Sequence, residues 1–269
     1  MDDLEISTSE TIYNKIGDGY NFSRKADPFI CGRLLDLLSP DTHETYLDIG
    51  CGTGNYTVRF AEEGYNFYGI DPSHKMLGQA MPMSTRIKWL IGSSGHIPIS
   101  DHFFGGAIAS LTVHHWNDIE SSYHELSRVL KSDSRLVVFT SVPEQIESYW
   151  LNYYFPKMIQ ATAQRRPSLN YLEAAAHHAG FRLEKAEKYF VPGNIQDLIL
   201  YSGKHDPEIY FNARIRKGMS PFSAIANEEE VNAGLKRLRA DLDNWEFEKI
   251  KQQFESDAGD YLFLVFEKL

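Results

Sequence analysis

The chain has 269 residues, of which 42% are hydrophobic and 24% charged, and its formal net charge is −10. This balance is ordinary for a globular protein, and the acidic charge argues against a surface that follows nucleic-acid phosphates, because such surfaces are basic. The first residues, MDDLEISTSE, are acidic and polar and do not have the basic and apolar regions typical of a signal peptide. No apolar run approaches the roughly 20 residues of a membrane span. Cys31 and Cys51 are too few for a disulfide framework or a four-cysteine zinc site. We therefore expect a cytoplasmic protein with no nucleic-acid partner, no membrane contact and no bound metal.

The elements in chain order indicate an α/β fold. An N-terminal helix begins at Asp27 as N-cap and Pro28 as first helical residue. Near-continuous apolar strands then alternate with helices between residues 44 and 141, which predicts a doubly wound parallel sheet with helices on both faces. The predicted strands are ETYLDIG, NFYGID, IKWLIG, GGAIASLTV, RLVVFTS, RLEKAEKYFV and the buried YLFLVFEKL.

The chain is interpreted as one domain, 1–269, with additions to a sheet. Its parts are an N-terminal helical lid (1–43), a core (44–142), two helical insertions on the acceptor side (143–167 and 193–257) and two segments that complete the sheet (168–192 and 258–269). In the second insertion, Asn227 and Glu230 have capping-box-like spacing. The helix after them has an apolar stripe, which predicts packing on the core.

A glycine-rich loop follows the first predicted strand in the stretch YLDIGCGTGNYT. Gly50, Gly52 and Gly54 permit positive φ angles and close approach of a ligand to the backbone, at the sheet edge where open α/β folds bind ligands. Dinucleotide loops need G-x-G-x-x-G, but the sixth position here is Asn55. No P-loop lysine follows, which argues against a nucleoside triphosphate.

Two acidic residues narrow the choice of ligand. Asp48 precedes the first glycine, where a carboxylate repels pyrophosphate and favours a cation. Asp71 ends the second strand, where an acid can accept hydrogen bonds from a ribose diol, although it could also cap the next helix. S-adenosylmethionine, with its adenosine, sulfonium and ammonium, satisfies both positions.

Four segments in this order resemble the class I S-adenosylmethionine-dependent methyltransferases. They are LDIGCGTGN, YGIDPSHKML, GSSGHIPISDHFFGGAIASLTVHHW and LKSDSRLVVF. The resemblance implies a Rossmann-like, mostly parallel seven-stranded sheet with an antiparallel last strand. It also implies that S-adenosylmethionine is the cofactor and S-adenosylhomocysteine the product.

The resemblance assigns the methionine and ribose ends of the cofactor to residues near the glycine loop. The backbone of Gly50, Cys51 and Gly52 would face the methionine part. Asp48 would support the loop near the ammonium, and Asp71 would hold the ribose hydroxyls.

The adenine end is assigned in the same way. Pro72 and Met76 would flank the ring, Ser93 and Ser94 would face its edge, and Leu111 would lie near the methionine chain through its backbone. The family often has an aspartate at position 93, and a neutral serine is a weaker acceptor.

The N-terminal segment resembles a Tyr…Tyr…Arg pattern that closes over the cofactor in related methyltransferases. Tyr13, Tyr20 and Arg24 match it, and the arginine could pair with the cofactor carboxylate. A surface arginine with two packing tyrosines is the structural alternative.

The acceptor side carries several aromatic and imidazole groups. His114 is the first candidate to line the pocket as a base or acceptor-orienting group, whereas His115 and Trp116 are expected to shape the wall. The aromatic cluster of the first insertion is expected to pack in the core rather than bind the acceptor. It consists of Trp150, Tyr153, Tyr154 and Phe155.

The leading hypothesis is therefore a methyltransferase acting on O, N or C of a small-molecule acceptor. Two other classes stay open: a non-catalytic S-adenosylmethionine-binding protein and a nucleotide-dependent oxidoreductase on a similar sheet. Asn55 in place of the third dinucleotide glycine argues against the oxidoreductase. Neither the acceptor nor the oligomeric state has a sequence signal.

Overall fold

The computed structural model describes residues 20–269, without the side chain of Tyr20. The predictions for Tyr13 and for the side chain of Tyr20 lie outside the described residues. Among residues 20–269, no helix combines the length and the apolar character needed to cross a bilayer.

One seven-stranded sheet organises the chain, in the order β3-β2-β1-β4-β5-β7-β6. The strands are β1 (Thr45–Ile49), β2 (Asn66–Asp71), β3 (Lys88–Ile91), β4 (Phe104–Ser110), β5 (Leu130–Thr140), β6 (Phe181–Tyr189) and β7 (Tyr261–Lys268). Strands β1 to β5 pair in parallel, whereas β7 lies between β5 and β6 and runs antiparallel to both. The predicted doubly wound sheet with an antiparallel, buried last strand is confirmed.

Helices cover the sheet and form the insertions. They are α1 (Tyr20–Ser23), α2 (Pro28–Leu38), α3 (Asn55–Glu62), α4 (His74–Ala80), α5 (Ile119–Val129), α6 (Pro143–Glu147), α7 (Leu151–Tyr154), α8 (Pro156–Gln164), α9 (Leu169–His178), α10 (Ala213–Lys217), α11 (Glu228–Asp243) and α12 (Phe247–Gln252). Shorter 3-10 or π turns occupy Met81–Met83, Val113–His115, Leu200–Gly203, Pro207–Phe211 and Pro221–Ile225.

Side-chain caps explain where several helices begin. Asp27 accepts hydrogen bonds from the first turn of α2, with Pro28 as its first residue. Asn227 accepts from the backbone N–H of Glu230 and begins α11. The predicted capping box is incomplete, because Glu230 instead accepts hydrogen bonds from Lys157 N and Met158 N at the start of α8. The insertions are thus tied to each other by a helix cap.

Strand β4 ends three residues before the predicted boundary. Leu111 has a left-handed φ of 54°, and Val113–His115 form a 3-10 turn. The apolar run continues past the strand because the turn residue Val113 is fully buried. Strand β5 conversely begins at Leu130, because Leu130 pairs with Phe104 before a bulge.

The aromatic cluster of the first insertion packs in the core. Trp150, Tyr154 and Phe155 are at most 2% exposed, while Tyr153 is 39% exposed. A Cβ at Gly234 on α11 would lie 2.4 Å from the Phe155 ring, so the two insertions are in direct contact. The prediction that this cluster serves packing is consistent with these contacts.

Candidate functional site

A cavity of about 630 Å³ opens at the carboxyl ends of β1, β2 and β4. The loop after β1, the end of β2 and the loop after β4 form its wall. This is the edge at which parallel α/β sheets bind ligands. The loops that leave two neighbouring strands there run to opposite faces of the sheet, and a crevice is left between them.

The glycine loop is held in place by its own backbone N–H groups. Gly50 N and Cys51 N both donate to Ile70 O, at 2.7 and 3.1 Å, and Gly54 N donates to Cys51 O at 2.9 Å. Gly52 N donates to Asp71 Oδ2 at 2.9 Å. Four donors that an anion cradle would need are therefore already used within the protein. The use of these four donors within the protein disfavours a pyrophosphate on the glycine turn.

Asp48 lies beneath the loop rather than on the cavity wall. It is 3% exposed, and the Thr57 hydroxyl donates to its Oδ2 at 2.5 Å. Burial, with a smaller contribution from the Asp71 charge, raises the pKa of Asp48 to about 7. A cation bound above the loop would favour the ionised form, and the supporting role of Asp48 stays a prediction.

Asp71 lines the cavity at the end of β2. Its Oδ2 accepts from Gly52 N and its Oδ1 from Ser73 N, both at 2.9 Å. Ser73 itself caps α4 through Met76 N, so Asp71 is not the helix cap. Burial raises the pKa of Asp71 to about 6. Each carboxylate oxygen has a second lone pair for a diol on the cavity side.

The predicted adenine residues are brought together on one part of the wall. Pro72, Met76, Ser93 and Ser94 all line the cavity. Ser122 Oγ from α5 forms a hydrogen bond with Ser94 Oγ at 2.7 Å, which fixes the position of that side chain. The loop that holds the two serines is closed by backbone hydrogen bonds between residues 93 and 96.

Leu111 lines the cavity in a strained conformation. Its φ of 54° is unusual for a bulky side chain, and Leu111 N donates to Phe139 O at 2.7 Å. Strain of this kind clusters at ligand sites. Thr112 next to it packs against the loop, since a Cβ on Gly50 would lie 2.0 Å from Thr112 Oγ1.

Of the two imidazoles after β4, His115 lines the cavity wall as expected and His114 does not. His115 and Trp116 line the cavity, whereas His114 is not among its described lining residues. The rings of His114 and His115 lie 3.9 Å apart, and His114 Nδ1 is buried without a hydrogen-bond partner in the described part of the chain. Burial, followed by the Arg166 charge, lowers the pKa of His115 to about 3 and that of His114 well below its usual range. Both rings are therefore neutral near pH 7, and the catalytic role of His114 stays a prediction.

Arg24 lies on the cavity wall and forms a fork with Asp197 from the second insertion. Arg24 Nε and Nη2 approach Asp197 Oδ1 and Oδ2 at 2.6 and 3.2 Å. The Tyr56 hydroxyl donates to Asp197 Oδ2 at 3.2 Å. The described partner of the guanidinium is thus a protein carboxylate, and its predicted pairing with a cofactor carboxylate stays a prediction.

Sequence reasoning missed several residues that line the cavity. Asn55 was noted only as a missing glycine, yet its amide donates to Arg24 O at 2.6 Å. Tyr56, Thr112 and Asp197 also line the cavity and carry no recognisable local pattern. The one sequence signal for these residues is a polar side chain directly after the glycines, and that side chain is Asn55.

The described residues fit S-adenosylmethionine. The N–H groups of Gly50, Cys51, Gly52 and Gly54 already have acceptors within the protein, which leaves fewer donors for a phosphate. Asp71 offers two acceptor oxygens at the β2 end. The apolar side chains of Met76 and Leu111 can contact the adenine and methionine parts.

Comparison with known proteins agrees with this site. A family model described as a methyltransferase domain matches residues 47–138. A solved structure of a putative methyltransferase from an antibiotic biosynthesis pathway of Anabaena variabilis has a TM-score of 0.82 and is 30% identical; the match covers 92% of this chain and 99% of that chain.

Two curated relatives match shorter parts. An uncharacterised methyltransferase of Mycobacterium tuberculosis is 30% identical over 38% of this chain and 42% of its own length. A ubiquinone/menaquinone biosynthesis C-methyltransferase of Cereibacter sphaeroides is 27% identical over 52% of this chain and 61% of its own length. The chain thus matches roughly half the length of these curated relatives. The match to the Anabaena structure nevertheless extends over almost all of both chains. The chain belongs to the class I S-adenosylmethionine-dependent methyltransferase family.

Proposed function

We propose that this protein transfers a methyl group from S-adenosylmethionine to a small-molecule acceptor. The observation that carries the proposal is the internal use of the N–H groups of Gly50, Cys51, Gly52 and Gly54, beside the acceptor oxygens of Asp71. That wall suits a ribose and a cationic tail and disfavours a pyrophosphate.

The chain's own residues would bind and orient the cofactor. Asp71 would accept hydrogen bonds from the ribose hydroxyls, and the ionised Asp48 would favour the ammonium through the loop. The adenine would lie between Pro72 and Met76, with Ser94 at its edge held by Ser122. Leu111, held in its strained conformation, would contact the methionine chain.

Bound S-adenosylmethionine would supply an activated methyl group for in-line displacement. The protein would then need mainly to align the acceptor with that group and to exclude water. His115, on the cavity wall and neutral near pH 7 because burial lowers its pKa to about 3, could accept a hydrogen bond from an acceptor hydroxyl or amine. His114 contacts the ring of His115 and is the second candidate for this role.

A small molecule is the proposed acceptor class. The cavity of about 630 Å³ must hold the cofactor as well, which leaves room for a metabolite rather than a polymer. Two similar proteins, a methyltransferase of quinone biosynthesis and a putative methyltransferase from an antibiotic pathway, support the same class. The net charge of −10 also disfavours RNA.

Incorporation of labelled methyl groups tests the proposal. The purified chain is incubated with methyl-labelled S-adenosylmethionine and a metabolite panel that includes quinone precursors and phenols. We expect transfer to at least one member, and loss of transfer in Asp71→Ala. Cofactor binding without methyl transfer to any member of the panel would favour a non-catalytic S-adenosylmethionine-binding protein instead.

A further inference from the structure

Two serine hydroxyls form a pair on the part of the cavity wall assigned to adenine. Ser94, on the loop after β3, and Ser122, near the start of α5, both line the cavity. Their side-chain oxygens lie 2.7 Å apart, and the two residues are 8% and 1% exposed, respectively. Ser93 next to them is exposed, so water competes for its hydroxyl. The buried pair is therefore the better fixed of the hydroxyl contacts on this wall.

The loop that carries Ser94 is also fastened to α5 through its backbone. Ile97 N donates to Glu125 Oε1 at 2.7 Å, and Arg128 Nη2 donates to Ile97 O at 2.9 Å. Glu125 and Arg128 lie on the same helix as Ser122. The helix thus holds the loop at a second point, which keeps the two hydroxyls at hydrogen-bond distance.

The number of protons decides which of the two hydroxyls donates. Ser122 Oγ also lies 2.6 Å from the backbone carbonyl oxygen of Asp118. A serine hydroxyl has one proton, whereas a carbonyl oxygen can only accept. If Ser122 donated to Ser94, two acceptor oxygens would face each other at 2.6 Å without a proton between them.

The Ser122 proton therefore goes to the Asp118 carbonyl. The 2.7 Å contact between the two serines then requires that Ser94 donate its own proton to Ser122 Oγ. With its proton used in this way, Ser94 Oγ has only lone pairs left for a ligand in the cavity.

We propose that Ser122 and the Asp118 carbonyl make Ser94 an acceptor-only group, which selects a base with an amino group and rejects one with an oxygen in its place. The inference rests on the proposed function, because the base is the adenine of S-adenosylmethionine. Ser94 is then the residue that contacts the amino group. Ser122 is a positioning residue, which sets the specificity through the direction of one hydrogen bond.

Calorimetry of the full chain with S-adenosylhomocysteine and S-inosylhomocysteine tests the proposal. The second compound has a carbonyl oxygen in place of the adenine amino group and so presents an acceptor to Ser94. Wild type should bind S-adenosylhomocysteine at least about tenfold more tightly, because two facing acceptors leave both groups without a hydrogen bond. Equal affinities would overturn the inference.

Ser122→Ala should relax the specificity by a gain of binding. Without Ser122 Oγ, the Ser94 hydroxyl can rotate and donate to the carbonyl oxygen of S-inosylhomocysteine. The affinity for this compound should rise about fivefold, whereas that for S-adenosylhomocysteine should change less than about threefold. A purely structural role of Ser122 would weaken both ligands, and this result or an unchanged affinity ratio would overturn the inference.

Ser94→Ala tests the contact without relying on the Ser122 variant. The loss of the acceptor should weaken S-adenosylhomocysteine binding about fivefold. Wild-type affinity in Ser94→Ala would overturn the inference, because it would show that Ser94 makes no contact with the amino group.

The chain offers a matched control for Ser122→Ala. Thr162 on α8 forms the same type of bond within a helix, from its hydroxyl to Met158 O at 2.7 Å, and it is not among the described residues that line the cavity. Thr162→Val should leave both affinities unchanged. The same change of affinity ratio in Thr162→Val as in Ser122→Ala would overturn the proposal.

The wild-type measurement separates this inference from the proposed function. Failure to bind either compound would overturn the proposed function and the inference with it. Equally tight binding of both compounds would overturn the inference alone.

Discussion

Alanine at two glycines of the same loop should destabilise the protein to different extents. Gly50 and Gly52 have φ angles of 71° and 57°, so either alanine variant has a left-handed residue that costs about 1–2 kcal/mol. A Cβ on Gly50 would also lie 2.0 Å from Thr112 Oγ1, whereas a Cβ on Gly52 meets no atom of the described residues within 4 Å. Overpacking of this kind adds about 1–3 kcal/mol.

Urea unfolding without ligand measures the stability part of this prediction. Gly50→Ala should lose about 2–5 kcal/mol, and Gly52→Ala only about 1–2 kcal/mol. Calorimetry measures the binding part. Gly52→Ala, although destabilised less than Gly50→Ala, should bind S-adenosylmethionine more weakly, by about tenfold or more, because its methyl group occupies space at the cavity wall. Wild-type affinity in Gly52→Ala, or equal destabilisation of the two variants, would refute the reasoning.

Two further predictions concern the buried carboxylates. Burial raises the pKa of Asp48 from 3.8 to about 7. Between these two pH values the folded chain therefore keeps a proton that the unfolded chain releases. As a result, the stability contributed by this group falls as pH rises from about 4 to about 7. Asp48→Asn should remove this contribution to the pH dependence of the free energy of unfolding, which urea titrations at a series of pH values measure. Parallel plots of that free energy against pH for variant and wild type would contradict the prediction. Asp71→Ala should weaken S-adenosylmethionine binding about tenfold or more through loss of hydrogen bonds to a charged acceptor; unchanged affinity in calorimetry would exclude the ribose role.

The sheet could be predicted from sequence because its signals are local. Strand β2 was predicted with its observed bounds, Asn66–Asp71, since an apolar run lies between a glycine turn and a helix cap. The predicted end of β4 and the predicted start of β5 are wrong, because contacts with distant parts of the chain set these two boundaries. Leu130 begins β5 only because it pairs with Phe104 across a bulge, and no local pattern in LKSDS indicates this.

The candidate site was predictable where one loop or strand end supplies the residues. Asp71 and the glycine loop lie on the cavity wall as expected. Asp197 was missed because its partner Arg24 is 173 residues away in the chain, and a lone aspartate in an insertion carries no pattern. His115 rather than His114 lies on the wall, and both belong to the 3-10 turn that follows β4, which no local pattern in LTVHHW indicates.

The central claim is that the loop after β1 receives a cationic adenosine ligand rather than a dinucleotide. Titration calorimetry of the full chain with S-adenosylmethionine and with NAD tests it most directly. We predict saturable binding of S-adenosylmethionine at one site, with no heat from NAD. Saturable binding of NAD together with no binding of S-adenosylmethionine would contradict the account.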